Sequence, residues 1–208
     1  MLNIFKRFFK KEKNDNNKEY NNKELDKLLT DIQDGVESID YDKYGNPGIS
    51  RVENGKTILI LDDIQNMWYL YGEDFKDIKR VYDKDVNEDF NIITCLGPKA
   101  GFIAHKFIHE NYEHVDYAIL DITLGYGVKL TNGDYVEYDG IDVFLELYKR
   151  NPDLKFIFCT AHTLNKKNPT VGFFFKKFED ATGLNFSNYY LNKNSERYKR
   201  IYELLYKD

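Results

Sequence analysis

The sequence predicts an α/β protein: a doubly wound parallel β-sheet with helices on both faces, preceded by an extension of different composition. Three observations predict it. From residue 56 onward, apolar runs of strand length alternate five times with stretches of helical periodicity. The runs are apolar throughout, which marks strands covered on both faces. Four of the five runs end in a carboxylate, a hydroxyl or an amine, and in open α/β sheets the functional groups gather beyond the carboxyl ends of the strands.

The extension covers residues 1–54. Residues 1–13, MLNIFKRFFKKEK, place Leu2, Phe5, Phe8 and Phe9 on one helical face, flanked by Lys6, Arg7, Lys10, Lys11 and Lys13. Three readings stay open for them: weak contact with an anionic membrane surface, a solvated N-terminus, or a stripe docked on the domain. Residues 14–23 are polar and Asn-rich and read as a linker. Leu25, Leu28, Leu29 and Ile32 stand at i, i+3, i+4 and i+7, which predicts a short helix stopped by Gly35. Around Tyr44-Gly45-Asn46-Pro47-Gly48 a turn or small hairpin is expected.

The domain is expected over residues 55–208. Its first strand, at 57–61, ends in Asp62 and Asp63, and a helix follows over 65–82 with a break near Gly72. The second strand is 90–95. Gly97-Pro98 then opens a helix that runs to Glu110. The third strand, 115–120, ends in Asp121. Residues 140–150 are helical until Asn151-Pro152 stops them. The fourth strand, 154–159, ends in Thr160, and a helix over 169–181 stops at Thr182-Gly183. The fifth strand, 188–192, ends at Lys193, and Ser195 can cap a last helix reaching Tyr206.

Composition excludes several function classes. At roughly 150 residues per domain, 208 residues make one domain with an extension or two small ones. With 42% hydrophobic and 16% aromatic residues the chain can bury a sizeable core. Lys and Arg total 30 against 35 Asp and Glu, a net charge of −5, which is a poor basis for direct binding to nucleic acid. Cys95 and Cys159 lie in apolar runs and read as buried thiols, not a disulfide framework. No apolar run reaches membrane-spanning length and no secretory signal is visible, so a cytoplasmic protein is expected.

Three clustered carboxylates repel each other unless a cation sits among them. A hard dication with oxygen ligands suits them, and Mg2+ is the default because it also bridges to phosphate oxygens. A carboxylate beside Mg2+ is a competent nucleophile toward a phosphoryl group. The transferred group carries three anionic oxygens, one each for the metal, a hydroxyl and an ammonium. Asp121, Thr160 and Lys193 meet that inventory.

In ILILDD at 58–63, AILDITLG at 118–125, FCTAH at 158–162 and YLNK at 190–193, the sequence resembles the response-regulator receiver domain of two-component signalling. The resemblance covers residues 55–208. It implies a flavodoxin-like (βα)5 fold with strand order 2-1-3-4-5. It implies Asp121 as phosphoacceptor, with Mg2+ held by Asp62, Asp63, Asp121 and the backbone carbonyl of Thr123. It implies that Thr160 hydrogen-bonds the phosphoryl group, that Lys193 pairs with it, and that Thr160 and Tyr190 form the switch. Its phosphoryl donor would be a histidine kinase or phosphotransfer protein, and its output would be contact with a downstream protein target.

The sequence departs from the family pattern at several points. Gly125 and Asn194 stand where the family has proline. Between Gly125 and the Asp139-Gly140 pair lies an insertion, 126–138. Its Val128, Leu130, Tyr135 and Val136 around Asn132-Gly133 predict a β-hairpin shielding the phosphorylation site. Phe173, Phe174, Phe175 and Phe178 cannot all face inward on one helix, so an exposed aromatic patch is expected there, with Tyr189, as a partner face. His105 and His109, at i and i+4, read as a solvated helix face with no adjacent Glu to make a metal motif. His162, near the site, is expected to face solvent.

The sequence therefore reads as a single-domain response regulator that accepts a phosphoryl group and is not a turnover enzyme; no stretch after Lys193 is long enough for an output domain. Two alternatives stand: an aspartate-based phosphohydrolase, and a receiver-like scaffold that is never phosphorylated. The hydrolases carry a second acid two residues after the nucleophile, where this chain has Thr123.

Overall fold

The computed structural model describes residues 47–110, 114–124, 127–129, 135–137, 139–161, 169–193 and 196–207. The expectations for residues 1–46, Gly125, the hairpin's turn, His162, Asn194 and Ser195 lie outside them. An α/β body falls within residues 41–126 and 138–208, and residues 127–137 belong to a separate unit.

In the body, β1 (Gly48–Ser50) precedes β2 (Lys56–Asp62), α1 (Met67–Tyr82), the short α2 (Val86–Asp89), β3 (Phe90–Leu96), α3 (Ala100–Glu110) and β4 (Tyr117–Leu120). The unit that includes 127–137 carries β5 (Gly127–Lys129) and β6 (Tyr135–Glu137). The body resumes with α4 (Gly140–Arg150), β7 (Lys155–Thr160), α5 (Pro169–Thr182), a 3-10 turn (Phe186–Tyr189), β8 (Tyr190–Asn192) and α6 (Arg197–Tyr206).

The sheet order is β1-β3-β2-β4-β7-β8. The last five strands are parallel, and numbered among themselves they run 2-1-3-4-5, the flavodoxin-like order. The sixth strand is an addition to the expected sheet. β1 pairs antiparallel with β3, Gly48 opposite Thr94 and Ser50 opposite Ile92. Residues 48–50, just before β2, thus join the sheet edge. Asn54, with φ 58°, makes the turn between β1 and β2.

Strand apolarity follows from the layers. α1 and α6 pack together on one face of the sheet, and α3, α4 and α5 on the other. Ile58 and Ile60 join the core under α1 and α6 with Tyr71, Phe75, Ile78 and Ile201. Leu59 and Leu61 alternate with them and point to the opposite face, also fully buried. That second layer is aromatic: the Phe144 ring lies 4.2 Å from Phe156 and 5.4 Å from Phe178, and Phe158 lies 5.2 Å from Phe186.

α1 runs unbroken through Gly72, where an added Cβ would meet nothing within 4 Å. The inserted hairpin has β5 and β6 antiparallel, with Val128 opposite Val136. Phe175 and Phe178 are buried and Phe173 and Phe174 half-buried, so no exposed phenylalanine patch forms on α5. Among the described residues the large exposed apolar side chains include Ile64, Trp68, Tyr69 and Leu70, around the start of α1. No described helix is long and apolar enough to cross a membrane.

Candidate functional site

β2 delivers Asp62 and Asp63, the end of β4 delivers Asp121, β7 ends on Thr160, and the end of β8 delivers Lys193. Neighbouring parallel strands put their carboxyl ends side by side, so residues distant in sequence meet there. Carboxylate oxygens of Asp62, Asp63 and Asp121 lie within 4.8 Å of one another. Lys193 Nζ stands between two of them, 2.7 Å from Asp62 Oδ2 and 2.6 Å from Asp121 Oδ2.

Backbone groups fix Asp62 and Asp121. Asp121 N donates to Leu61 O at 2.8 Å, and Asp121 Oδ1 accepts from Ile122 N at 2.7 Å. Asp62 Oδ1 accepts from Ile64 N at 3.1 Å, and Asp62 O accepts from Gly97 N at 2.9 Å. Lys193 N donates to Thr160 O at 2.9 Å, which ties the ammonium's strand to the hydroxyl's.

Burial governs the electrostatics. Desolvation pushes the Asp121 carboxyl up to about 6, against the pull of Lys193 and with the charges of Asp62 and Asp63 adding to the rise. Asp62 moves in the same direction for the same leading reason, with Lys193 again pulling back. Desolvation works against the charge of Lys193, but Asp121 and Asp62 outweigh it and its pKa ends raised. Asp62 and Asp121 thus hold a cation already, in the form of the Lys193 ammonium. The oxygen-only donor set fits Mg2+, which would draw on Asp62, Asp63 and Asp121.

Thr160 is buried, and Thr123 and Tyr190 are half-buried. The Tyr190 hydroxyl accepts from Asn192 Nδ2 at 3.0 Å. Tyr71 and Arg197, which no motif marks, also approach the cluster. Tyr71 OH donates to Asp62 Oδ2 at 3.5 Å, the Arg197 guanidinium lies 5.5 Å from the Tyr71 ring centre, and Arg197 Nη2 is 2.8 Å from Asp74 Oδ2. Tyr71 sits in the apolar stripe of α1, so periodicity reads it as core.

The loop after Asp121 is pinned at its far end. Gly140 N donates to Ile122 O at 2.9 Å, and an added Cβ at Gly140 would lie 1.8 Å from Asp121 O. Asp139 caps α4, accepting from Ile141 N at 2.8 Å and Asp142 N at 3.0 Å, while Asp142 Oδ2 accepts from Asp139 N at 3.0 Å. Lys177 of α5 clamps this capping box, 2.8 Å from Asp139 Oδ2 and 2.7 Å from Asp142 Oδ1.

No family model matches the chain, and no curated protein matches it. Among solved structures, the chain is similar to a CheY-like response regulator receiver domain protein from Methanospirillum hungatei JF-1, at 18% identity and a TM-score of 0.42 over 72% of this chain and 93% of that one. It is similar to a LuxR-family DNA-binding response regulator from Staphylococcus aureus, at 24% identity and a TM-score of 0.41 over 72% of this chain and 98% of that one. It is also similar to the CheX-CheY-BeF3-Mg2+ complex from Borrelia burgdorferi, at 20% identity and a TM-score of 0.40 over 82% of this chain and 96% of that one.

Proposed function

We propose that the protein is a single-domain response regulator, switched by Mg2+-dependent phosphorylation of Asp121. The observation that carries the reading is the contact of one buried ammonium, Lys193, with both Asp62 and Asp121 at the carboxyl edge of a 2-1-3-4-5 sheet. A lysine buried between two acids at a strand edge suits an anion that arrives on one of them.

In this reading an Asp121 carboxylate oxygen attacks phosphorus. A new O–P bond forms, the bond to the donor breaks, and the donor's leaving group departs with the electron pair. Mg2+, held by Asp62, Asp63, Asp121 and the Thr123 carbonyl, would offset charge on the transferred oxygens. Lys193 releases Asp121 and follows the phosphoryl group, and Thr160 donates its hydroxyl to another oxygen. Tyr190 turns inward as Thr160 moves, and the changed surface is read by a protein target. The donor is a histidine kinase or phosphotransfer protein.

Intact mass after incubation with acetyl phosphate and Mg2+ tests the reading. A stable gain of roughly 80 Da, one phosphoryl group, lost in Asp121→Asn, supports it. Release of inorganic phosphate over many turnovers would identify an aspartate-based phosphohydrolase instead. Absence of both adduct and turnover would identify a scaffold.

A further inference from the structure

We propose that His105, His109 and Glu146 form a binding site for a transition-metal dication, of Zn2+ chemistry, in the seam between α3 and α4. The expectation of a solvated histidine face fails at His105, which is 4% exposed and turned toward Glu146, itself 6% exposed. The missing acid comes from the neighbouring helix, 41 residues along the chain from His105.

Each residue offers one ligand atom, and the three atoms lie within 4.8 Å of one another. His105 Nδ1 is 3.0 Å from Glu146 Oε1, and His109 Nε2 is 3.4 Å from Glu146 Oε2. Ligands about 2.0–2.1 Å from a tetrahedral zinc stand about 3.4 Å apart. His105 Nδ1 is also 3.2 Å from Glu146 Oε2, so that one oxygen stands 3.2 and 3.4 Å from the two ring nitrogens, close to the spacing the ion requires. Two imidazoles and one carboxylate are a donor set that Zn2+ takes with a fourth position left open. The His109 side chain is 28% exposed and gives the route in from solvent.

A dication between the three groups would offset the charge of the buried Glu146 carboxylate. The exposed Arg150 opposes it. Its Nη2 lies 3.5 Å from His109 Nδ1, where its hydrogen bond favours the tautomer whose Nε2 proton faces Glu146. Metal binding needs that nitrogen's lone pair, so Arg150 and the ion compete for the same ring.

Co2+ titration of the full chain, with millimolar Mg2+ present to fill the oxygen-only acid cluster, tests the proposal. One equivalent of Co2+ should give the intense visible absorption of a four-coordinate ion, and Zn2+ should displace it. Zn2+ should also raise the thermal midpoint. His109→Gln, at the solvent edge of the site, should keep the circular dichroism of the wild type and weaken Co2+ binding by roughly tenfold or more. Glu146→Gln is the second variant, expected to do the same. Arg150→Gln should tighten binding. Only the weak absorption of six-coordinate cobalt, or an intense band that survives in His109→Gln, would overturn the proposal in favour of a metal-free His-Glu cluster.

Discussion

Gly140 and Asp121 touch so closely that the first residue of α4 has no room for a side chain: a Cβ at Gly140 would stand 1.8 Å from the Asp121 carbonyl oxygen. The obstacle is backbone, which cannot swing aside. Gly140→Ala should push the Asp121 loop away from the sheet edge and cost about 3 kcal/mol of stability, the upper part of the overpacking range. Urea unfolding measures the stability. A wild-type midpoint with an intact Mg2+ response would show that the loop relaxes without moving Asp121.

The acid cluster predicts a pH dependence. Asp121 has a folded-state pKa of about 6, above its ordinary 3.8. The folded state therefore binds more protons than the unfolded state between those values, and stability falls as pH rises through the window. At neutral pH this group alone destabilises the metal-free fold by about 3 kcal/mol. Asp121→Asn should unfold at higher denaturant than wild type at pH 7 without metal, and the two should converge near pH 4. Mg2+ should shrink the difference from the wild-type side. Parallel curves for the two proteins across the window would remove Asp121 as the source.

Lys177 is the cation of the Asp139-Asp142 capping box. Its removal leaves two carboxylates with side chains only 12% and 10% exposed facing each other. Lys177→Met should lower stability by on the order of 3 kcal/mol. The loss should shrink at acid pH, because burial and Asp139 already hold the Asp142 carboxyl above the usual carboxylate range and protonation relieves the repulsion. Denaturation at pH 5 and pH 8 checks the sign, since a pH-independent loss would point to packing alone.

Tyr190→Ala should leave phosphorylation of Asp121 intact and uncouple it from partner binding. Hydrogen exchange with and without beryllofluoride, a phosphoryl mimic, reads the wild-type switch across β7, β8 and the segment between them. Equal exchange in both states would leave no switch in this region.

Much of the site is legible in the sequence because parallel strands translate sequence into place. An apolar run followed by an acid or a lysine puts that group at one edge, so the strand ends alone are enough to bring Asp62, Asp63, Asp121 and Lys193 together. What stays illegible depends on contacts between helices. Glu146 meets His105 only through the packing of α4 on α3, and Lys177 meets Asp139 only through that of α5 on α4. Neither pair leaves a spacing to read. The same cause explains the phenylalanines of α5, since burial of Phe175 and Phe178 depends on Phe186, Phe156 and Phe158 from other elements. Gly48–Ser50 escapes recognition as a sheet strand because three residues carry too little pattern.

That short strand also bears on how the chain can be dissected. β3 is seven residues long, and β1 pairs with Ile92, Ile93 and Thr94 at its centre. A fragment started at residue 55, the compositional boundary, would keep every residue of the acid cluster and lose this cover. It would expose a row of unpaired backbone groups on an apolar β-branched segment, which is a template for edge-to-edge aggregation. Such a fragment should bind Mg2+ when freshly diluted and precipitate on concentration, whereas one started at residue 41 should stay monodisperse. Light scattering of the two, side by side, separates colloidal failure from failure to fold.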